Sequence, residues 1–272
     1  MTTKFKTRAE YDSLSMEPLK SGVIELMTRL GDIEDQIVVV GGFAPFLLFT
    51  NAAEPPTGTL DVDLGLSLAM LNEERYEALE GRLRAAGFTP DQNENGVTTR
   101  QRWRAGNILV DLLMAPVDAN AKPGRIQNLT PTMAAIVVPG IELAHLDAVR
   151  VRLKGEALQG GSAERDVAVC GPGALVVLKA LAFGSRGEEK DAHDLTYVLK
   201  AAGVEEVAKR VSTFPPSEHL DKALDTLRRD FTSADAIGPV RLAMFRSGGA
   251  SDELQAESAA RVRELLKKLD RV

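Results

Sequence analysis

Residues 37–66 constrain this chain more than any other stretch. The run Ile37-Val38-Val39-Val40 ends in Gly41-Gly42, and a later loop leads into Thr59-Leu60-Asp61-Val62-Asp63-Leu64. Four β-branched residues in a row read as a buried strand. In the second segment polar and apolar residues alternate, so on a strand Asp61 and Asp63 project from one face and Leu60, Val62 and Leu64 from the other. Two hard oxygen donors then meet one site, a set that suits Mg²⁺ completed by water and phosphate oxygens. Gly41-Gly42 lets the backbone come close to a phosphate or ribose. Each piece alone also has a plain reading, a chance Asp-x-Asp or an ordinary turn. Their order adds the weight: strand, glycine pair, an apolar helix-like stretch over 43–49, loop, paired carboxylates. The chemistry implied is binding of a nucleoside triphosphate (NTP) with magnesium, and nucleotidyl transfer.

A third carboxylate follows. Asp111 interrupts Ile108-Leu109-Val110-Asp111-Leu112-Leu113-Met114, where a charge is costly unless it is paired or metal-bound. It is either a salt-bridged core residue or a third metal ligand. Residues 97–104 and 107–114 read as a hairpin, and a two-residue turn at Gly106-Asn107 would place Arg102 opposite Asp111. Arg100, Arg102 and Arg104 then share a face. Val149-Arg150-Val151-Arg152-Leu153-Lys154 repeats the alternation, so the two basic strands are expected either to form a cationic floor for triphosphate or RNA backbone, or to be solvent-facing amphipathic strands.

These features resemble the DNA polymerase beta-like nucleotidyltransferases, whose pattern is a Gly-Gly or Gly-Ser, a helix, an Asp-x-Asp or Asp-x-Glu, and a later acidic residue on a neighbouring strand. A second cluster, Lys179-Ala180-Leu181-Ala182-Phe183, Arg186 and Lys190-Asp191-Ala192-His193-Asp194-Leu195, resembles the AbiEii-type toxins of toxin-antitoxin and phage-defence systems. The resemblance spans residues 38–199. It departs from the pattern in an inserted-looking loop over 51–58, and in Phe43 where Ser, Thr or Tyr is common. It implies a polymerase beta-like mixed sheet with flanking helices, and a catalytic set of Asp61, Asp63, Asp111, Lys179 and Asp191. Gly41, Gly42, Lys179, Lys190 and Asp194 would hold the nucleotide, joined by Arg102 on the register argument. Taken without the resemblance, Lys179 also reads as a solvated lysine, and Asp191 and Asp194 as acidic residues favoured by a helix start.

The mechanism expected is a two-metal in-line displacement, with Asp61, Asp63 and Asp111 as ligands of two Mg²⁺ ions. The resemblance implies the 3′ end of transfer RNA (tRNA) as acceptor and an antitoxin as restraining partner. A small-molecule (aminoglycoside-type) nucleotidyltransferase and a non-catalytic antitoxin-like binding module are the alternatives.

Composition sets the class. The chain has 272 residues, 44% hydrophobic and 26% charged, with a net charge of −6. That balance is ordinary for a globular protein and argues against one that coats nucleic acid indiscriminately. One cysteine, Cys170, excludes an internal disulfide framework, and the absence of an apolar signal core or an 18-residue apolar span points to a cytoplasmic protein without membrane segments. His145, His193 and His219 lack zinc-site spacing, and no Gly-x-Gly-x-x-Gly or phosphate-loop fingerprint is present.

Periodicity predicts a helix over 14–30 stopped by Gly31, and another over 72–86, capped by Asn72, apolar at Leu79 and Leu83, and stopped by Gly87. Strands are expected over 149–153 and 166–170. Beyond Gly171 nearly everything reads as helix, ending in 252–269 with Leu254, Val262, Leu265, Leu266 and Leu269 on its apolar face. The fold class expected is α+β, with a catalytic domain over 1–170 that includes the N-terminal helix and a helical C-terminal domain over 171–272.

Overall fold

The computed structural model describes residues 5–67, 73–117 and 122–270. The chain divides into two compact units: one takes Leu14–Leu48 and Gly58–Cys170, the other the segment ending at Ser13, residues 49–57, and everything from Gly171. The short helix α1 (Arg8–Asp12) therefore belongs to the second unit, as does most of the inserted-looking loop.

The first unit begins with α2 (Glu17–Leu30), β1 (Ile37–Val40) and α3 (Ala44–Leu48), followed by β2 (Asp61–Leu66) and α4 (Glu73–Ala85). Five strands come next: β3 (Thr89–Gln92), β4 (Thr98–Ala105), β5 (Ile108–Met114), β6 (Ile126–Asn128) and β7 (Ala134–Val137). Helix α5 (Glu142–Leu146) and the long hairpin of β8 (Ala148–Glu156) and β9 (Ser162–Cys170) complete it. The strands form one mixed sheet in the order β3-β4-β5-β2-β1-β9-β8, with β7 pairing β5 and β6. Parallel pairs are β1 with β9, β2 with β5 and β5 with β7. Because β2 runs along β5 from Leu109 to Met114, β4 and β7 share the other edge of β5 in succession.

The β4–β5 turn is Gly106-Asn107, with Gly106 at φ 57. Ala105 faces Ile108 and Arg102 faces Asp111, the register that the two-residue turn demands. The pleat then sends Trp103 into the core and Arg102 to the opposite face. Of the two readings of the basic strands, a cationic floor shared by both does not form. Four strands separate β4 from β8, which is about 24 Å at ordinary strand spacing. Arg104 pairs with Asp91, Arg150 with Asp35, and Arg152 with Glu164 and Asp166.

The second unit is helical from α6 (Pro172–Arg186) through α7 (Glu189–Ala202), α8 (Val204–Val211), α9 (Glu218–Asp230), α10 (Ile237–Ser247) and α11 (Asp252–Leu269). The Ser217 hydroxyl accepts from the Leu220 N–H at 3.2 Å at the start of α9, a standard N-cap bond. The buried face of α11 differs from its apolar stripe, for Gln255, Ser258 and Ala259 lie on it while Leu254 and Leu269 are only half-buried. The two polar residues are tolerated there because both are satisfied. Gln255 donates to the Ala234 carbonyl at 2.9 Å, and Ser258 bonds Thr196 at 2.9 Å.

Helix α4 buries only Tyr76, Leu79 and Leu83, with Gly87 just past its end; its expected cap, Asn72, lies outside the described residues. Among the described residues no helix is long and apolar enough to cross a membrane. With so narrow an apolar stripe, Leu79→Ala should destabilise the protein by about 2–5 kcal/mol in urea unfolding. The exposed Glu77→Ala should stay within about 0.5 kcal/mol.

Candidate active site

Three adjacent strands set the acidic cluster. Parallel pairing of β2 with β5 places Asp63 beside Asp111, and antiparallel pairing of β4 with β5 places Arg102 on the other side of Asp111. Register partners point to the same face of a sheet, so Arg102, Asp111 and Asp63 form one row, with Asp61 two residues along β2 on that same face. On the opposite face of β2, Val62 and Leu64 are fully buried, which fixes the orientation of the carboxylates. The Thr59 hydroxyl donates to Asp61 Oδ1 at 3.3 Å.

Asp111 is the most buried of the three. Its Oδ1 accepts from Arg102 Nε at 2.6 Å and its Oδ2 from Arg102 Nη2 at 2.5 Å, while Nη2 also lies 3.2 Å from Asp61 Oδ2. This is a two-pronged guanidinium–carboxylate pair with a second carboxylate at its edge. Burial pushes the Asp111 carboxyl up from its usual range, against the pull of Arg102 and reinforced by the charge of Asp61. The hydrogen bonds to Asp111 in turn raise the pKa of Arg102.

Asp61 and Asp63 fit Mg²⁺, since both are hard oxygen donors on one face and leave the remaining positions to water and phosphate oxygens. Among the described residues, however, no three His, Cys, Asp or Glu side chains are gathered so as to hold a metal by themselves. Asp111 differs from the expected open third ligand in this respect, because Arg102 holds both of its oxygens.

Lys179, Lys190, Asp191 and Asp194 come together in the helical unit. Lys179 Nζ reaches Asp194 Oδ2 at 2.6 Å and Asp191 Oδ1 at 3.1 Å from within α6. Arg186 clasps Asp191 at 2.6 and 2.9 Å, and Lys190 reaches Asp194 at 2.9 Å. Lys190 also lies over the ring of Tyr11, 5.2 Å from its centroid. Burial opposes the charges of Lys179, Asp191 and Asp194, yet the pairing wins: Lys179 is pushed up, and Asp191 and Asp194 are held below the usual carboxylate range. The helix-start reading holds for Asp191, which lies in the first turn of α7, and both Asp191 and Asp194 are also buried ion-pair partners.

Sequence reasoning assigned no role to several residues of these two constellations. Arg186 stood in the motif without a function; its five-residue distance from Asp191 spans the turn between α6 and α7, a separation no single-helix pattern detects. Thr59 stands two residues before Asp61 on the same face, and that alternation was its signal. Buried His193, whose Nε2 lies 2.7 Å from the Thr57 hydroxyl, had none. Phe43, in place of a hydroxyl residue, is fully buried and stacks on Phe46 with centroids 5.5 Å apart.

No family model matches the chain, and no curated protein matches it. Among solved structures it is similar to the antibiotic-resistance factor ANT(2'')-Ia, with 14% identity, a TM-score of 0.41, and coverage of 72% of this chain and 90% of that one. A likeness of that extent carries no functional argument. The AbiEii-type resemblance rests on its motif residues, and the reading of the site on its own side chains.

Breaking the buried pair should be severe. Arg102→Ala is expected to destabilise the protein by about 3 kcal/mol, because it leaves Asp111 buried beside Asp61 without a counter-charge. Arg102→Met combined with Asp111→Leu should recover most of that loss in urea unfolding.

Burial holds the pKa of His193 near 3, far below its ordinary 6.5. Above pH 6.5 the ring is neutral whether the chain is folded or not, and its contribution to stability is complete. Below that the unfolded chain takes up a proton that the folded ring refuses, so stability falls by up to about 1.4 kcal/mol per pH unit. Between pH 6.5 and 4.5, where carboxylates still ionise, His193→Gln should flatten the slope of unfolding free energy against pH.

Proposed function

We propose that this chain is a magnesium-dependent nucleotidyltransferase that moves a nucleoside monophosphate from an NTP to an acceptor hydroxyl. The observation that supports it is the row Arg102, Asp111, Asp63, with Asp61 alongside, on one face of the central strands. Asp61 and Asp63, hard oxygen donors two residues apart on that face, suit a divalent cation.

Asp61 and Asp63 would hold Mg²⁺, which when bound supplies Lewis-acid polarisation and neutralises triphosphate charge. Asp111, its carboxyl pushed up by burial, is suited to take the acceptor hydroxyl proton. The acceptor oxygen then bonds to the α-phosphorus as the bond to the bridging oxygen breaks, and pyrophosphate leaves. Arg102 has the fork geometry to hold phosphate oxygens once it lets go of Asp111. In the helical unit, Lys179 and Lys190 stand beside Asp191 and Asp194, and a lysine can hold a phosphate as a point charge. The resemblance of Lys179 and Lys190-Asp191-x-x-Asp194 to the AbiEii-type motif supports the tRNA 3′ end as acceptor, a toxin's role in the cell, and a neutralising antitoxin.

The test is a labelling screen: protein, Mg²⁺ and each labelled NTP, offered total RNA, protein extract and aminoglycosides. Label should enter tRNA, and Asp63→Ala should lower it at least about a hundredfold, the scale of a lost transition-state contact worth 2.7 kcal/mol or more. Label on an aminoglycoside instead would move the acceptor to small molecules. Label on nothing would overturn the reading. Induced in bacteria, the unaltered chain should arrest growth and Asp63→Ala should not.

A further inference from the structure

Gly41 follows β1 with φ 68, in the left-handed region. Its other constraint is space. A Cβ built there would lie 1.8 Å from Asp63 Oδ2, 2.8 Å from its Cγ and 3.1 Å from its Cβ. Such distances exclude any side chain while Asp63 keeps its rotamer. The cause is the register: Val40 is paired with Asp63 across the antiparallel β1–β2 ladder, so the chain turning out of β1 brings the Gly41 Cα against the Asp63 carboxylate. A positive φ alone would not explain this. Gly106, Gly187 and Gly248 have φ of 57, 64 and 70, and a Cβ at any of them meets nothing within 4 Å.

We propose that Gly41 is a positioning residue for Asp63: its bare Cα is the seat against which that carboxylate rests, holding its oxygens on the face shared with Asp61. The sequence suggested that Gly41 serves the nucleotide backbone; its closest tie in the structure is to a carboxylate of the metal-binding pair. The proposal rests on the reading of Asp61 and Asp63 as a metal site. It implies that any L-residue at 41 evicts the carboxylate, including asparagine, which tolerates a positive φ but brings a Cβ.

The experiment is Mn²⁺ binding to the full chain by titration calorimetry, without nucleotide, for the unaltered protein, Gly41→Ala, Gly41→Asn, Asp63→Ala and Gly248→Ala. Both Gly41 variants should bind Mn²⁺ about 10–100-fold more weakly, the scale of other losses of ligand-orienting contacts, and should approach Asp63→Ala. Gly248→Ala, which introduces a comparable φ strain in open space, should bind as the unaltered protein does. Unchanged affinity in both Gly41 variants would overturn the proposal. If the unaltered chain shows no Asp63-dependent Mn²⁺ binding, the metal-site reading itself falls and takes the proposal with it. A stability cycle covers failure of Gly41→Ala to fold. Its fall in melting temperature should be smaller in the Asp63→Ala background, where the oxygen and carbon at 1.8 and 2.8 Å are gone. Equal falls in both backgrounds would overturn the proposal, since φ strain is common to the two.

Discussion

The sheet unit is organised around one electrostatic constraint, a carboxylate in the middle of a strand whose seven residues are all buried. Asp111 can ionise there only with a partner at hydrogen-bond distance. Among the described residues the cation in its row is Arg102, and the side chains meet only if the β4–β5 turn has two residues; a one-residue slip would send Arg102 to the face that buries Trp103. Gly106, at φ 57, meets that requirement. An apolar pair of similar volume would recover most of the stability that breaking the ion pair removes. The ion pair is therefore weak evidence for stability by itself, while loss of one partner alone would be severe.

The elements easiest to read were those in which local pattern and tertiary demand agree. Ile37–Val40 is buried on both faces as its composition implies, Asp61-Val62-Asp63-Leu64 alternates as written, and Asp252–Leu269 has the expected bounds. The facing of Arg102 and Asp111 followed from turn length alone. Illegible features depend on strand order or long-range partners. The alternation in β8 matched that in β4, but nothing in either segment tells that β5, β2, β1 and β9 lie between them. Strands β3 and β7 were missed because Thr89-Pro90-Asp91-Gln92 contains a proline and lacks β-branched apolar residues, while Ala134-Ala135 has little strand preference. The face of α11 was misjudged at Gln255 and Ser258, whose burial depends on acceptors at Ala234 and Thr196.

The loop over residues 49–57 is ordered by its side chains. It has no regular ladder, so its backbone entropy must be offset by side chains. Glu54 does much of this, receiving Arg8, Arg246 at 2.6 Å and Lys200 at 3.4 Å, while its carbonyl accepts from the Tyr197 hydroxyl at 3.0 Å. Three cations around a partly buried carboxylate form a network, in which each pair costs less ordering entropy than it would alone. Thr57 then reaches His193, tying the end of the loop to α7.

The two constellations are each held by pairing within their own unit. In the sheet unit Arg102 pairs with Asp111 and Asp61; in the helical unit Lys179 pairs with Asp191 and Asp194, Arg186 with Asp191, and Lys190 with Asp194. Burial makes a charge more costly than it would be in water, so Asp111, Asp191 and Asp194 each need a cation at hydrogen-bond distance. Removing Arg102 would strand a buried carboxylate, a larger loss than breaking an exposed pair such as Arg228 and Asp225.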